Sequence, residues 1–249
     1  MIRLFLKGGA IISAVVLGAE AAYAVLRPSP LLEQFDPSSS YGDPDLPHMR
    51  VAVLGDSSIT APGVAGPHEI WVTLIAERLA SDRHVIVQSF AVGGSMTDDL
   101  IREQLEPALQ FEPDLILVSV GGNDLLKGVS RARFEKNLDD LIGPLAASGA
   151  VVVQSGLGDL GTIPRLHPPL RNLISHRSAA FDRIHWKIAH KHGTNVVHQR
   201  SDARNAWLDD RGLWSEDLFH VSAAGHARWA DTVWNTTIEP LLPVLNESS

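Results

Sequence analysis

Val51, Ala52, Val53 and Leu54 form a short, nearly all-apolar run that stops at Gly55, the pattern of a strand buried on both faces. Similar runs recur at Val85, Ile86 and Val87, at 115–120, at 150–154 and, shorter, at 195–197. Between them the apolar spacing changes from continuous to helical. Ile70, Trp71, Leu74, Ile75 and Leu79 predict a helix over 68–79, and helices are also predicted over about 98–109, 134–147 and 170–192. Ser222 caps a last helix whose stripe is Ala230, Val233, Trp234 and Ile238, with Pro240 and Pro243 expected to close it. Strands alternating with helices imply right-handed βαβ units, and hence an α/β fold: a parallel sheet in a three-layer α/β/α arrangement. No repeat and no second composition regime interrupts the pattern, so one domain is expected over 49–245.

The amino-terminal residues read differently. Arg3 and Lys7 precede an apolar stretch over 8–19, and Ala22, Tyr23 and Ala24 follow in an A-x-A arrangement, the layout of a secretory signal peptide cleaved after Ala24. Apolar character resumes at Val25 and Leu26, so residues 1–26 also suit an uncleaved anchor, although Glu20 would burden a spanning helix. Either outcome predicts a secreted or cell-envelope location. Five prolines and the serines 38–40 mark 27–48 as a linker.

Composition narrows the chemistry. A net charge of −8 with no basic patch argues against a nucleic-acid partner. The absence of cysteine removes disulfides, thiolate nucleophiles and zinc-thiolate sites.

What remains lies in the loops after the strands. Gly55, Asp56, Ser57 and Ser58 turn off the end of the first strand, where the loops of a parallel sheet line a crevice. A serine there is a candidate nucleophile, or else the turn merely caps the next element. Gly93 and Gly94 follow the second strand, and Gly121, Gly122, Asn123 and Asp124 follow the third. A glycine N–H can approach a ligand closely, and an asparagine amide is a neutral donor, so both suit the oxyanion formed when an ester carbonyl is attacked. A serine hydroxyl needs a base, and Asp217-Leu218-Phe219-His220 supplies an imidazole with a carboxylate on the same turn to orient it. His226 lacks such a carboxylate three residues earlier and is expected to be a supporting or surface residue. His185, His190 and His192 do not converge at helical spacing and are expected on a solvated helix face. The tryptophans read as core packing.

The blocks Gly55-Asp56-Ser57, Gly94, Gly121-Gly122-Asn123-Asp124 and Asp217-Leu218-Phe219-His220, in that order, resemble the SGNH hydrolases, also called GDSL lipases and esterases. The resemblance spans about 49–238. It implies a flavodoxin-like sheet of about five parallel strands and no metal or organic cofactor. It implies Ser57 as nucleophile, Asp217 and His220 as the rest of a catalytic triad, and Ser57, Gly94 and Asn123 as the oxyanion hole. Two departures stand out: Val221 follows the histidine where many members have proline, and no asparagine precedes the second block near Gln88 and Ser89.

The expected function is hydrolysis of carboxylic esters through an acyl-enzyme by a monomer. Its partner is a small-molecule or lipid or sugar ester, with a membrane tether through 1–26 as one outcome. Leu125, Leu126 and Leu157 are the expected apolar acyl wall. The rivals are acyl transfer or deacetylation on cell-envelope sugars or lipids, and a catalytically silent envelope-binding domain.

Overall fold

The structure, a computed structural model, describes residues 18–20, 22–23, 26–199 and 204–247. Most of the segment read as a signal peptide or anchor therefore lies outside the described residues. No described helix is long and apolar enough to cross a membrane.

Six strands form one sheet: β1 (Ser39–Tyr41), β2 (His48–Gly55), β3 (His84–Ser89), β4 (Leu115–Ser119), β5 (Val151–Gln154) and β6 (Asn195–Val196). Their order is β1-β3-β2-β4-β5-β6, with β1 antiparallel to β3 and every other pairing parallel. The five parallel strands thus run in the flavodoxin-like order, second-first-third-fourth-fifth. Connections leave β2 and β3 in opposite directions across the sheet, which opens a crevice at the carboxyl end of β2. Ser57 sits two residues beyond that end.

Four long helices cover the faces: α1 (Trp71–Leu79), α2 (Arg131–Ala147), α3 (Leu170–His192) and α4 (Ala223–Val233). Strand alternation sorts them. Met49, Val51 and Val53 of β2 turn to one side, where they meet Ile75 and Leu79 of α1 and Ala230 and Val233 of α4. Ala52 and Leu54 turn to the other, where Leu138 and Leu141 of α2 and Phe181 and Ile188 of α3 pack. The apolar run Val51 to Leu54 of β2 thus serves two cores, because each of its faces is covered by helices. Each such side chain removed from water contributes roughly 1.5–3 kcal/mol.

The structure departs from the periodicity at several points. The expected helix over 68–79 breaks at Ile70, whose extended backbone (ψ 138°) separates a single turn at Pro67–Glu69 from α1. The helix over 97–110 contains a π-turn at Leu100–Gln104, ahead of Pro107. The carboxyl-terminal helix does not end at Pro240: a π-turn at Trp234–Ile238 carries it into Glu239–Glu247. In both places the wider i→i+5 turn reorganises the carbonyl ladder just before a residue with no N–H to give it, so the helix survives its proline. Part of the stretch read as a linker is built into the domain. Ser39, Ser40 and Tyr41 pair with Val87, Ile86 and Val85, and Phe35 packs on the first core. Backbone pairing of three residues needs no apolar run, so composition could not mark it.

Candidate active site

The end of β2 is held in a way that only its sequence allows. A Cβ on Gly55 would lie 2.6 Å from the Ser119 carbonyl oxygen and 2.7 Å from Ile59, so the strand can turn there only without a side chain. Buried Gln104 clamps the same residue at both ends, accepting from the Gly55 N–H and donating to its carbonyl, each at 2.9 Å. The chain then enters a one-turn helix at Ser57–Thr60. Asp56 caps it, its Oδ1 accepting from the Ser58 N–H at 2.9 Å.

This turn separates the two serines. The Ser58 hydroxyl donates to Ser119 Oγ at 2.7 Å, whose oxygen also accepts from Ser155 Oγ at 3.0 Å, so Ser58 is tied into the sheet. Ser57 lines a cavity of about 190 Å3 together with Asn123 and His220, and Ser58 borders the same cavity with its hydroxyl already bonded. Asn123 donates from Nδ2 to Asp56 Oδ2 at 3.0 Å and to the Ser95 carbonyl at 3.1 Å, joining the loops that follow β2, β3 and β4. Gly94, at φ +84°, is next to Ser95 but is not among the residues lining the cavity; its carbonyl accepts from Lys127 Nζ at 2.9 Å.

Two buried aspartates, Asp56 next to the serine and Asp124 near Asp56, lie behind the loops. Burial pushes the Asp56 carboxyl above the ordinary carboxylate value, against hydrogen bonds from Ser58 and Asn123, and the nearby charge of Asp124 adds to the rise. Asp124, also pushed up by burial, accepts from the Thr97 N–H and hydroxyl at 3.0 and 3.1 Å and so anchors the helix after Gly94.

Asp217 and His220 are brought together by a tight turn at Leu218, whose φ of +58° is unusual for a residue with a side chain. The turn is held by bonds from the Ser215 N–H to the His220 carbonyl (2.8 Å) and from the Leu218 N–H to the Ser215 carbonyl (2.9 Å). A bridge between Trp214 and Val221 closes it, so the valine after the histidine does not leave the turn unbraced. Asp217 Oδ2 meets His220 Nδ1 at 2.7 Å. Its Oδ1 accepts from Ser215 Oγ at 2.6 Å and from the N–H groups of Phe219 and His220 at 2.8 and 2.9 Å. Burial alone would raise this carboxyl, but the donors outweigh it and hold Asp217 well below the ordinary carboxylate range. The carboxylate is thus charged, and it fixes the tautomer of His220 that leaves Nε2 to accept a proton.

Several expectations change here. Of the two places expected for His226, supporting or surface, the structure shows the first. His226 is 1% exposed, lines the same cavity, stacks on Trp229 and faces the Trp71 N–H with Nδ1 at 3.4 Å; burial, helped by nearby His220, lowers its pKa to about 4. His185 is not on a solvated face. It is buried, with Nδ1 3.0 Å from Gln154 Oε1, and burial lowers its pKa to about 4, opposed by the backbone carbonyl of Val120 as an acceptor. Helix α3 covers the sheet along that side, and the spacing of three histidines does not reveal which one faces inward. Of the proposed acyl wall, Leu126 and Leu157 line the cavity while Leu125 is buried in the core behind it. The cavity's other apolar walls, Leu160, Ile163, Trp207, Trp214, Phe219 and Trp229, come from loops and helices with no motif to mark them. Among the described residues no group of three or more His, Asp or Glu side chains could hold a metal ion.

The profile of the GDSL-like lipase/acylhydrolase family matches residues 53–228. The chain is 29% identical over 194 residues to esterase TesA of Pseudomonas aeruginosa, covering 76% of this chain and 88% of that protein. A crystal structure of TesA superposes with a TM-score of 0.64 at 26% identity, over 77% of this chain and 99% of the other. The fold is shared with a psychrotrophic esterase, EstA, from Pseudoalteromonas (TM-score 0.61, 19% identity, 77% and 98% covered). It is shared too with the acetylxylan esterase Axe2 from Geobacillus stearothermophilus (0.60, 18%, 76% and 93%). The Ser57 turn, the two following loops and the Asp217–His220 turn all fall within the matched residues, and the chain belongs to the GDSL-like lipase/acylhydrolase family of ester-hydrolysing enzymes.

Proposed function

We propose that this chain hydrolyses carboxylic esters through an acyl-enzyme on Ser57. The observation that carries the reading is the division of labour at the cavity wall. Both serines line the cavity, but the Ser58 hydroxyl is given to Ser119, whereas Ser57 stands in the same cavity as a histidine oriented by a charged carboxylate. His220 Nε2 takes the Ser57 proton as Oγ attacks the carbonyl carbon. The tetrahedral oxyanion meets the Ser57 N–H and the Asn123 amide, both on the cavity, with the Gly94 loop tied to them through the Ser95 carbonyl. One Asn123 N–H is bonded to the neutral Ser95 carbonyl, a weaker acceptor than an oxyanion, and exchanges it for the developing charge. Collapse breaks the bond to the alcohol, which leaves with the proton from His220. A water activated by the same histidine then releases the acid.

The leucine, isoleucine and aromatic walls favour an ester whose acyl or alcohol part is apolar over a bare acetylated sugar. A fluorophosphonate probe is expected to label the protein, and Ser57→Ala to abolish both labelling and esterase activity. Labelling that survives the substitution would overturn the assignment. No label and no turnover across an ester series would restore the catalytically silent reading.

A further inference from the structure

The chain before β1 does not hang free of the site. Phe35 donates its N–H to the Thr60 carbonyl at 2.8 Å, and Thr60 Oγ1 donates to Gln34 Oε1 at 3.0 Å, so the last residue of the one-turn helix that begins at Ser57 is held twice by residues 34–35. The Gln34 side chain lies flush against Gly93; a Cβ there would be 2.2 Å from its Oε1. Ser38 Oγ accepts from the Ser89 N–H at 3.0 Å, at the point where β3 gives way to the glycine loop. Earlier in the segment, the buried Arg165 guanidinium reaches the carbonyls of Arg27 and Pro28 at 3.5 and 3.4 Å, and its Nε donates to the carbonyl of Asp217. One short run of chain thus touches the nucleophile's helix and the oxyanion loop, and shares an arginine with the Asp217 turn. It lies before the residues matched by the family.

We propose that residues 27–38 form a strap that aligns these three parts of the site, with Gln34 as the positioning residue that sets the Gly93-Gly94 loop against the Ser57 helix. The proposal rests on the ester-hydrolase reading above. Gln34 fills the place beside the second loop where the chain has no bracing asparagine. It does so from outside, as an exposed side chain bonded to Thr60 and packed on a glycine that leaves room for it. Alignment of the oxyanion donors matters in the transition state more than in substrate binding, so loss of the strap contact acts on kcat.

The test uses the full chain with an aryl ester and a fluorophosphonate probe. Because Gln34 is exposed, Gln34→Ala is expected to keep its melting temperature, to lower kcat and the labelling rate about tenfold, and to leave KM within about twofold. Thr60→Val is expected to show the same loss, and the double variant no more than either, because both remove one contact. The proposal is overturned if Gln34→Ala turns over and labels at the parent rate, if its kcat falls only as its stability falls, or if the two losses multiply. A parent chain that takes no label overturns the ester-hydrolase reading, and the strap with it. A labelled parent with an unaffected Gln34→Ala overturns the strap alone.

Discussion

Asp56 and Asp217 are both aspartates in loops at the same end of the sheet, 6% and 4% exposed, yet their carboxyls are displaced in opposite directions. The difference is the number of donors each receives. Asp217 is met by two backbone N–H groups, a hydroxyl and an imidazole, enough to hold a buried charge. Asp56 receives one backbone N–H and one amide and has Asp124 for a neighbour. Burial raises both carboxyls; at Asp217 the donors outweigh it, whereas at Asp56 they do not and the charge of Asp124 adds to the rise. Asp217, the acid that keeps its charge, is the one bonded to His220 Nδ1 and is suited to stabilise an imidazolium there, while Asp56 caps the turn after β2.

Exchanging each acid for its amide breaks the comparison most sharply. Asp217→Asn presents His220 with an amide, disturbs the tautomer and removes the charge. A fall in kcat/KM of about 10^3–10^4, or about 4–5.5 kcal/mol, is expected in steady-state ester hydrolysis. A loss below tenfold would show that His220 does not depend on this carboxylate.

The histidines extend the contrast to stability. His185 and His226 are buried with pKa values of about 4, below the ordinary 6.5, so the unfolded chain binds their protons first as the pH falls. Their contribution is complete above pH 6.5 and is lost between 6.5 and 4, on the order of 3 kcal/mol for each. Asp56 and Asp124 act in the opposite sense as they protonate, which calls for comparing variants. Denaturant midpoints between pH 7 and 4.5 are expected to fall for the parent and to fall less for His226→Asn, which removes the titrating ring and keeps an acceptor for the Trp71 N–H. Equal slopes in the two proteins would contradict a buried neutral His226.

Asp56→Asn is the mildest change. It keeps an acceptor for Ser58 but can turn a donor toward Asn123, so kcat is expected to fall about tenfold, near the value of one hydrogen bond. A loss as large as that of Asp217→Asn would erase the distinction between the two acids.

Much of this was legible in the chain and some was not, for physical reasons. The strands around Val51 and Leu115 and the long helices carry their burial in their periodicity, and the layered fold follows from that. That Ser57, Asn123 and His220 meet at one cavity, with Asp217 on His220, is legible because such residue types occur at few strand ends and turns, and their order along the chain joins them. Trp207, Trp214 and Trp229 were not, since an aromatic side chain facing a cavity has the same spacing as one facing a core. His185 was misread because the sequence shows the helix but not which side lies on the sheet. Gln34 and Arg165 act across 26 and 52 positions of separation, through contacts no local pattern encodes.

The reversed three-residue strand β1 has a bearing on how this protein behaves among its own copies. Backbone groups at the rim of a sheet invite pairing with another chain, and a flat, apolar, β-branched rim invites it most. At the far margin β6 is only two residues long, and on the near side Ser39–Tyr41 occupies the groups of Val85, Ile86 and Val87. With β1 in place, the backbone rim of β3 is spent on the chain's own earlier residues; cleavage between β1 and β2 would free that rim to pair with another copy.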